Sequence, residues 1–203
     1  MNRLNEIAPN TGPVVITDYQ ARWADEFKTA GAQLRKVLGD SALRIDHIGS
    51  TSVPGLGAKD IVDIQITVKS LDDLDAFTKK MLAANFLRRG TIHHDCLVGI
   101  DDPESPQLRK AYFREPEGQR RCHLHVRQQG LKNQRYALLF RDFLRANSTV
   151  RMAYERIKRR LTEIFPESID GYLYIKDPLM DIIYEGAESW AKTVEWAEDE
   201  LYL

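Results

Sequence analysis

The stretch His47-Ile-Gly-Ser-Thr-Ser-Val-Pro-Gly-Leu-Gly-Ala-Lys-Asp-Ile-Val-Asp-Ile-Gln-Ile66 concentrates groups that hold phosphates and cations. The backbone amides of Gly49 and Ser50 and the Ser50 hydroxyl can approach a phosphate closely, because glycine leaves no side chain in the way. Thr51 and Ser52 add hydroxyls, Lys59 adds a cation, and His47 stands just before the loop as a further phosphate contact. If the residues after the loop form a strand, Asp63 and Gln65 share one of its faces, since side chains alternate with period two. A carboxylate beside a phosphate cradle is the usual way to hold Mg²⁺, with phosphate and water completing its shell. The plainer reading is a Gly/Ser/Pro-rich connection between two core strands.

His123 and His125 are two apart on a second predicted strand, so both face one side. Such a pair can bind a transition metal or move protons, or it can be a structural pair at the edge of a core. His93-His94-Asp95-Cys96 also resembles a metal cluster. Neighbours in a strand point apart, so it reads as structural. Tyr172 and Lys176 are four apart, on one face of a helix. Arg109, Lys110, Arg114 and Arg127 are further phosphate or substrate contacts, whereas Arg141-Asp142 reads equally as an internal ion pair.

The elements that must position these groups follow from apolar spacing. Val14-Val15-Ile16 reads as extended, and Trp23, Phe27, Ala30, Leu34 and Leu38 predict an amphipathic helix ending at Gly39. Strands are expected over 42–48 and 61–68, with a helix carrying Leu71, Leu74, Phe77 and Met81 after them. Ile92–Ile100 reads as a strand, and 101–106 as a loop. Residues 108–114 and 121–127 flank Glu115-Pro-Glu-Gly-Gln119 as a hairpin. Helices are expected over about 136–147 and 148–165, and a last one starting at Asp177-Pro178, with proline at its first position. The order suggests an α+β fold, with residues 1–130 as the sheet-bearing core and 131–203 as a helical part packed on it.

Composition bounds the function. The 203 residues are 43% hydrophobic and 29% charged, which excludes disorder, and no uncharged apolar run is long enough to span a membrane. Two cysteines exclude a disulfide framework. Met1 to Asn10 lack an apolar leader core, so a cytoplasmic protein without a membrane partner is expected. Net charge is only −1, yet residues 103–160 carry +10 and residues 161–203 carry −9. The basic segment either meets phosphates or nucleic acid, or pairs with the acidic tail.

The run from His47 to Ile64 resembles the signature of the GrpB-like family, of the nucleotidyltransferase (DNA polymerase β-like) superfamily. Further matches are Val15-Ile-Thr-Asp-Tyr19, Trp23, Phe27, His123-Leu-His-Val126, Leu139-Phe-Arg-Asp-Phe-Leu144, Tyr154 with Lys158, Tyr172 with Lys176, and Trp190, so the resemblance covers about residues 13–192. It implies a nucleotidyltransferase-like mixed β-sheet flanked by helices, with a helical C-terminal part. It also implies a Gly-Ser loop on the phosphates, an Asp-x-Asp pair on the next strand and a third carboxylate on a neighbouring strand, holding two divalent metals. Gly49, Ser50 and Asp63 match that pattern. Gln65 stands at the second carboxylate, and Asp60 replaces an expected proline. His125 takes the place of the third carboxylate, which favours Mn²⁺ over Mg²⁺. Tyr172 and Lys176 then meet the base and the triphosphate.

These readings combine into an expected enzyme. It uses a nucleoside triphosphate as co-substrate, with Mg²⁺ or Mn²⁺ on Asp63, Gln65 and His125. A nucleotidyl or phosphoryl group passes to a small-molecule acceptor held by Arg114, His123 and Arg127, with Asp63 and His125 catalytic. Because the family's domain is in some bacteria fused to dephospho-CoA kinase, the resemblance also implies a link to CoA metabolism. The alternatives are a non-catalytic module for nucleotide or CoA-like ligands, an RNA-binding accessory protein using the basic segment, and a His-based metal hydrolase.

Overall fold

The computed structural model describes residues 12–199, apart from residues 101 and 103. The polar segment Met1–Asn10 and parts of the 101–106 loop therefore lie outside the described residues. Among the described residues, five strands form one mixed sheet in the order β1-β2-β5-β4-β3: β1 Arg44–Ile48, β2 Val62–Val68, β3 Leu87–Arg88, β4 Ala111–Arg114 and β5 Cys122–Gln128. β2 and β5 run parallel at the centre, and the other pairings are antiparallel. Five helices flank the sheet: α1 Arg22–Leu38, α2 Asp75–Ala83, α3 Lys132–Ala146, α4 Ser148–Ile164 and α5 Ile169–Thr193. The expected α+β architecture is the one observed.

Period-two alternation divides the sheet's two faces. Val62, Ile64 and Ile66 of β2 and Leu124 and Val126 of β5 face Leu34 and Leu38 of α1 and Phe77 and Met81 of α2, forming the main core. The opposite face carries Asp63, Gln65, His123 and His125. There, the register places Asp63 beside His123 and Gln65 beside His125. The helices after residue 131 cover part of this polar face. Phe140, Leu144, Tyr154 and Tyr184 pack with Val53 and Leu56 of the 49–57 loop as a second core. The two charge blocks partly cancel, as Arg135 pairs with Glu188 at 3.2 Å and Arg141 with Asp199 at 3.4 Å. No helix among the described residues is long and apolar enough to cross a membrane.

Two expectations about elements are corrected, and one strand is new. The last helix begins at Ile169, well before Asp177-Pro178, and Pro178 lies inside it. Ser168 caps that start, its Oγ accepting from the Gly171 amide at 3.0 Å, and buried Tyr172 anchors the first turns against Val14 and Leu161. Packing of the first turns thus outweighs the proline signal. Ile92–Ile100 is not a strand: it makes one isolated bridge, His94 with Arg109, and leaves Ile92 and Val98 exposed. The two-residue edge strand β3 was too short to leave a periodic signal.

Candidate functional site

The site forms where β1 ends. Gly49 adopts φ +70° and ψ −174°, a conformation open essentially to glycine alone. A Cβ there would lie 2.9 Å from the Asp63 Cβ and closer still to its Oδ2, so the loop backbone rests against the carboxylate. Gly49→Ala is expected to cost about 2–4 kcal/mol, backbone strain adding to overpacking. That is a fall of roughly 5–15 °C in Tm. A melting midpoint within about 2 °C of wild type would show instead that the loop relaxes freely.

After Gly49, residues 50–52 make a single 3₁₀ turn. Ser52 Oγ donates to the Gly49 carbonyl at 2.6 Å, and Thr51 Oγ1 lies 3.0 Å from His47 Nε2. Ser50 is bound differently. Lys158, buried on α4, sends its Nζ to Ser50 Oγ at 3.0 Å and to the Gly57 carbonyl at 2.6 Å, joining both ends of the loop. Burial, with the positive charges of Lys176 and Lys59 nearby, pushes the Lys158 ammonium down to about 7. Burial and Lys176 also lower Lys59. Of these lysines, Lys158 is the one that bonds to the turn, while Lys59 lies 5.4 Å from the Tyr172 ring centre.

On the sheet beside that turn, His123 Nδ1 and His125 Nε2 lie 3.2 and 3.9 Å from Asp63 Oδ1. Tyr112 of β4 packs edge-on against both imidazoles. Burial alone would raise the Asp63 carboxyl, but its contacts with His123 and His125 outweigh that and hold it below the usual carboxylate range. Burial pushes His125 down to about 4 against the opposing pull of Asp63, and Arg127 and Lys110 push the same way. An imidazole kept neutral is the form that ligates metals.

The donor set suits a divalent ion. One ligand atom each from Asp63, His123 and His125 lies within 4.8 Å of the others, and His125 Nδ1 is buried without a hydrogen-bond partner among the described residues. Two imidazoles and one carboxylate match a transition ion such as Mn²⁺ better than Mg²⁺, which prefers oxygen.

Several expected site residues are occupied elsewhere. Gln65 is fully buried. Its Oε1 accepts from Arg127 at 2.7 Å and its Nε2 donates to the Gln134 carbonyl at 3.1 Å, so both of its polar atoms are already engaged in the interior. Arg127 is further tied to Asp95 at 2.9 Å, and Arg114 forks onto Glu115 and the Cys122 carbonyl, so each already carries internal partners. His47 lies on the α1 side of the sheet, its ring stacked on Phe27, and burial pushes it down to about 3. With buried Thr51 and Ser52 it shapes the turn from within. Asp60 is held by Arg22, Arg120 and the Trp23 indole. Tyr172 is buried, with Lys59 Nζ 5.4 Å from its ring centre, while Lys176 pairs with Asp177 at 2.7 Å. The residue that sequence reasoning left out of the site is Lys158. Its signal was a lysine four residues after Tyr154 and three before Leu161, on the buried stripe of its helix.

Known proteins agree with this architecture. The GrpB protein family matches residues 13–186. The chain is 32% identical over 179 residues to the protein YqkA of Bacillus subtilis, covering 88% of this chain and 48% of that protein. It is 34% identical over 196 residues to a dephospho-CoA kinase of Mycobacterium tuberculosis, covering 91% of this chain and 48% of that one. The chain thus spans about half the length of these two relatives. A crystal structure of GrpB from Enterococcus faecalis superposes with a TM-score of 0.71 at 28% identity, covering 87% of this chain and 99% of that one. Family match, relatives and superposition place the chain in one group: it belongs to the GrpB family.

Proposed function

We propose that this chain binds a nucleoside triphosphate over the Gly49–Ser50 turn and transfers a nucleotidyl or phosphoryl group to a small acceptor. The observation that carries the reading is that buried Lys158 binds Ser50 Oγ at 3.0 Å on a turn whose backbone lies against Asp63, with His123 and His125 beside that carboxylate. Burial and neighbouring positive charge lower both Lys158 and Lys59, and an anion of high charge such as a polyphosphate relieves that. The Ser50 hydroxyl and the amides of the turn donate to phosphate oxygens. Lys59 would neutralise phosphate charge, joined by Lys176 if it exchanges Asp177 for the ligand, and Lys158 holds Ser50 in place. Asp63, His123 and His125 would hold one divalent ion, which when bound would supply Lewis-acid polarisation of a phosphoryl oxygen. Burial keeps His125 unprotonated near neutrality, so no proton competes with a metal for its lone pair. The chemistry asked of the chain is positioning and charge stabilisation, with no covalent intermediate.

A second reading has one observation in its favour. Gln65, at the position of a second carboxylate, is locked to Arg127 and Gln134, so β2 offers a single acidic group. That suits a module that binds nucleotide or a CoA-like ligand without turnover. The relatives named dephospho-CoA kinase put CoA and dephospho-CoA among the ligands to test.

Thermal melts with ATP, GTP, CTP, UTP, CoA and dephospho-CoA, each with Mg²⁺, Mn²⁺ or EDTA, separate the two. A triphosphate at about 100 times its Kd is expected to raise Tm by roughly 5–10 °C with Mn²⁺ and far less with EDTA. A shift that survives EDTA, with no product by chromatography, supports the binding module. No shift with any ligand refutes both.

A further inference from the structure

Away from the Asp63 site, the segment between β3 and β4 gathers a second set of nitrogen and oxygen donors. His93 Nε2 lies 3.8 Å from Glu104 Oε1, and His94 Nδ1 lies 3.7 Å from Glu104 Oε2. The two imidazoles meet edge to face with centres 4.8 Å apart. A donor atom from each of the three residues lies within 4.8 Å of the other two. Ligands bonded at about 2.0–2.1 Å around one tetrahedral ion sit roughly 3.3–3.4 Å from one another. Small rotations of the exposed His93 and Glu104 side chains therefore close the set on an ion.

The distances within the set are too long for hydrogen bonds. Both ring nitrogens of His94 are buried without a partner among the described residues, a state that proteins normally avoid. A metal on Nδ1 removes one of those two orphans.

The backbone beneath is fixed. His94 bridges to Arg109, the Lys110 amide donates to the His93 carbonyl at 2.8 Å, and the Asp95 amide donates to the Leu108 carbonyl at 2.8 Å. Glu104 sits on a turn in which Asp102 Oδ1 accepts its amide at 2.9 Å. Because the segment is not a regular strand, its adjacent histidines converge where a strand would send them apart.

We propose that His93, His94 and Glu104 form a divalent transition-metal site of zinc type, which fastens this segment across its own turn. Three protein ligands of this kind leave a fourth position for water. The clip also steadies the neighbouring Asp95, which anchors Lys110 at 2.6 Å, Arg127 at 2.9 Å and Asn133 at 3.0 Å.

The test is zinc titration of the untagged chain against a chromophoric chelator, with zinc alone as the probe. His93→Ala and Glu104→Ala, both on exposed side chains, are expected to weaken one zinc equivalent by at least about tenfold. Their thermal midpoints without metal should match wild type. Asp63→Asn is expected to leave that equivalent intact, so this site stands or falls apart from the one at Asp63. Zinc binding unchanged in His93→Ala and Glu104→Ala overturns the proposal, and so does loss of all zinc binding in Asp63→Asn.

Discussion

Asp63→Asn is expected to lower turnover of the nucleotide that the ligand panel identifies by at least about 10³-fold. It should also weaken Mn²⁺ binding at that site while leaving the fold intact. The substitution keeps the shape that Gly49 rests against, so the turn has no reason to move. What it removes is the only negative charge among the three donor groups, the other two being imidazoles. A neutral amide is a weak ligand for a divalent ion. Two measurements on the same preparation decide the matter: a steady-state rate with Mn²⁺ and a melting curve without metal. A normal melting curve with the rate lost supports Asp63 as the carboxylate that holds the metal. Full activity sinks the proposed function, whatever the ligand.

Lys158→Met is expected to stabilise the protein while weakening triphosphate binding by about tenfold or more. Lys158 is 2% exposed and held down to about 7 from 10.5. The folded pKa lies below the unfolded one, so between pH 7 and 10.5 the unfolded chain binds the extra proton. Wild-type stability contributed by this group therefore rises with pH across that window, and the cost of burying the charge is fully present below pH 7. At about 1.4 kcal/mol per pH unit, that cost is on the order of 5 kcal/mol at low pH. Methionine removes it, but leaves Ser50 Oγ and the Gly57 carbonyl without their donor, which costs about 1–3 kcal/mol. The net expectation is a gain of about 2–4 kcal/mol at pH 6 that vanishes or reverses by pH 10. Urea denaturation of both proteins at pH 6, 8 and 10 measures it. Parallel stability curves would show that the ammonium is not desolvated as its surroundings indicate.

Most elements were legible in the sequence because their apolar spacing is regular. Trp23, Leu34 and Leu38 mark α1, and the alternation of Val62, Ile64 and Ile66 with Asp63, Gln65 and Thr67 marks β2. The same period-two argument places Asp63, His123 and His125 on a common face, and the parallel pairing of β2 with β5 then makes them neighbours. The segment after β3 was not legible, because it is held by single backbone bonds and by the burial of Asp95, neither of which leaves a period. The start of α5 was misread because the Asp177-Pro178 signal is local, whereas the helix is anchored a few turns earlier by Tyr172.

The sequence by itself determined most of the elements, the Gly49–Ser50 loop motif and the face on which the ionisable groups stand, all of which follow from short-range spacing. Which of those groups is free was decided only by the tertiary structure. Gln65 is taken by residues 62 and 69 positions away, and Ser50 is held by a lysine 108 positions away. A buried polar atom must find a partner wherever the fold brings one, and spacing along the chain carries no record of that meeting.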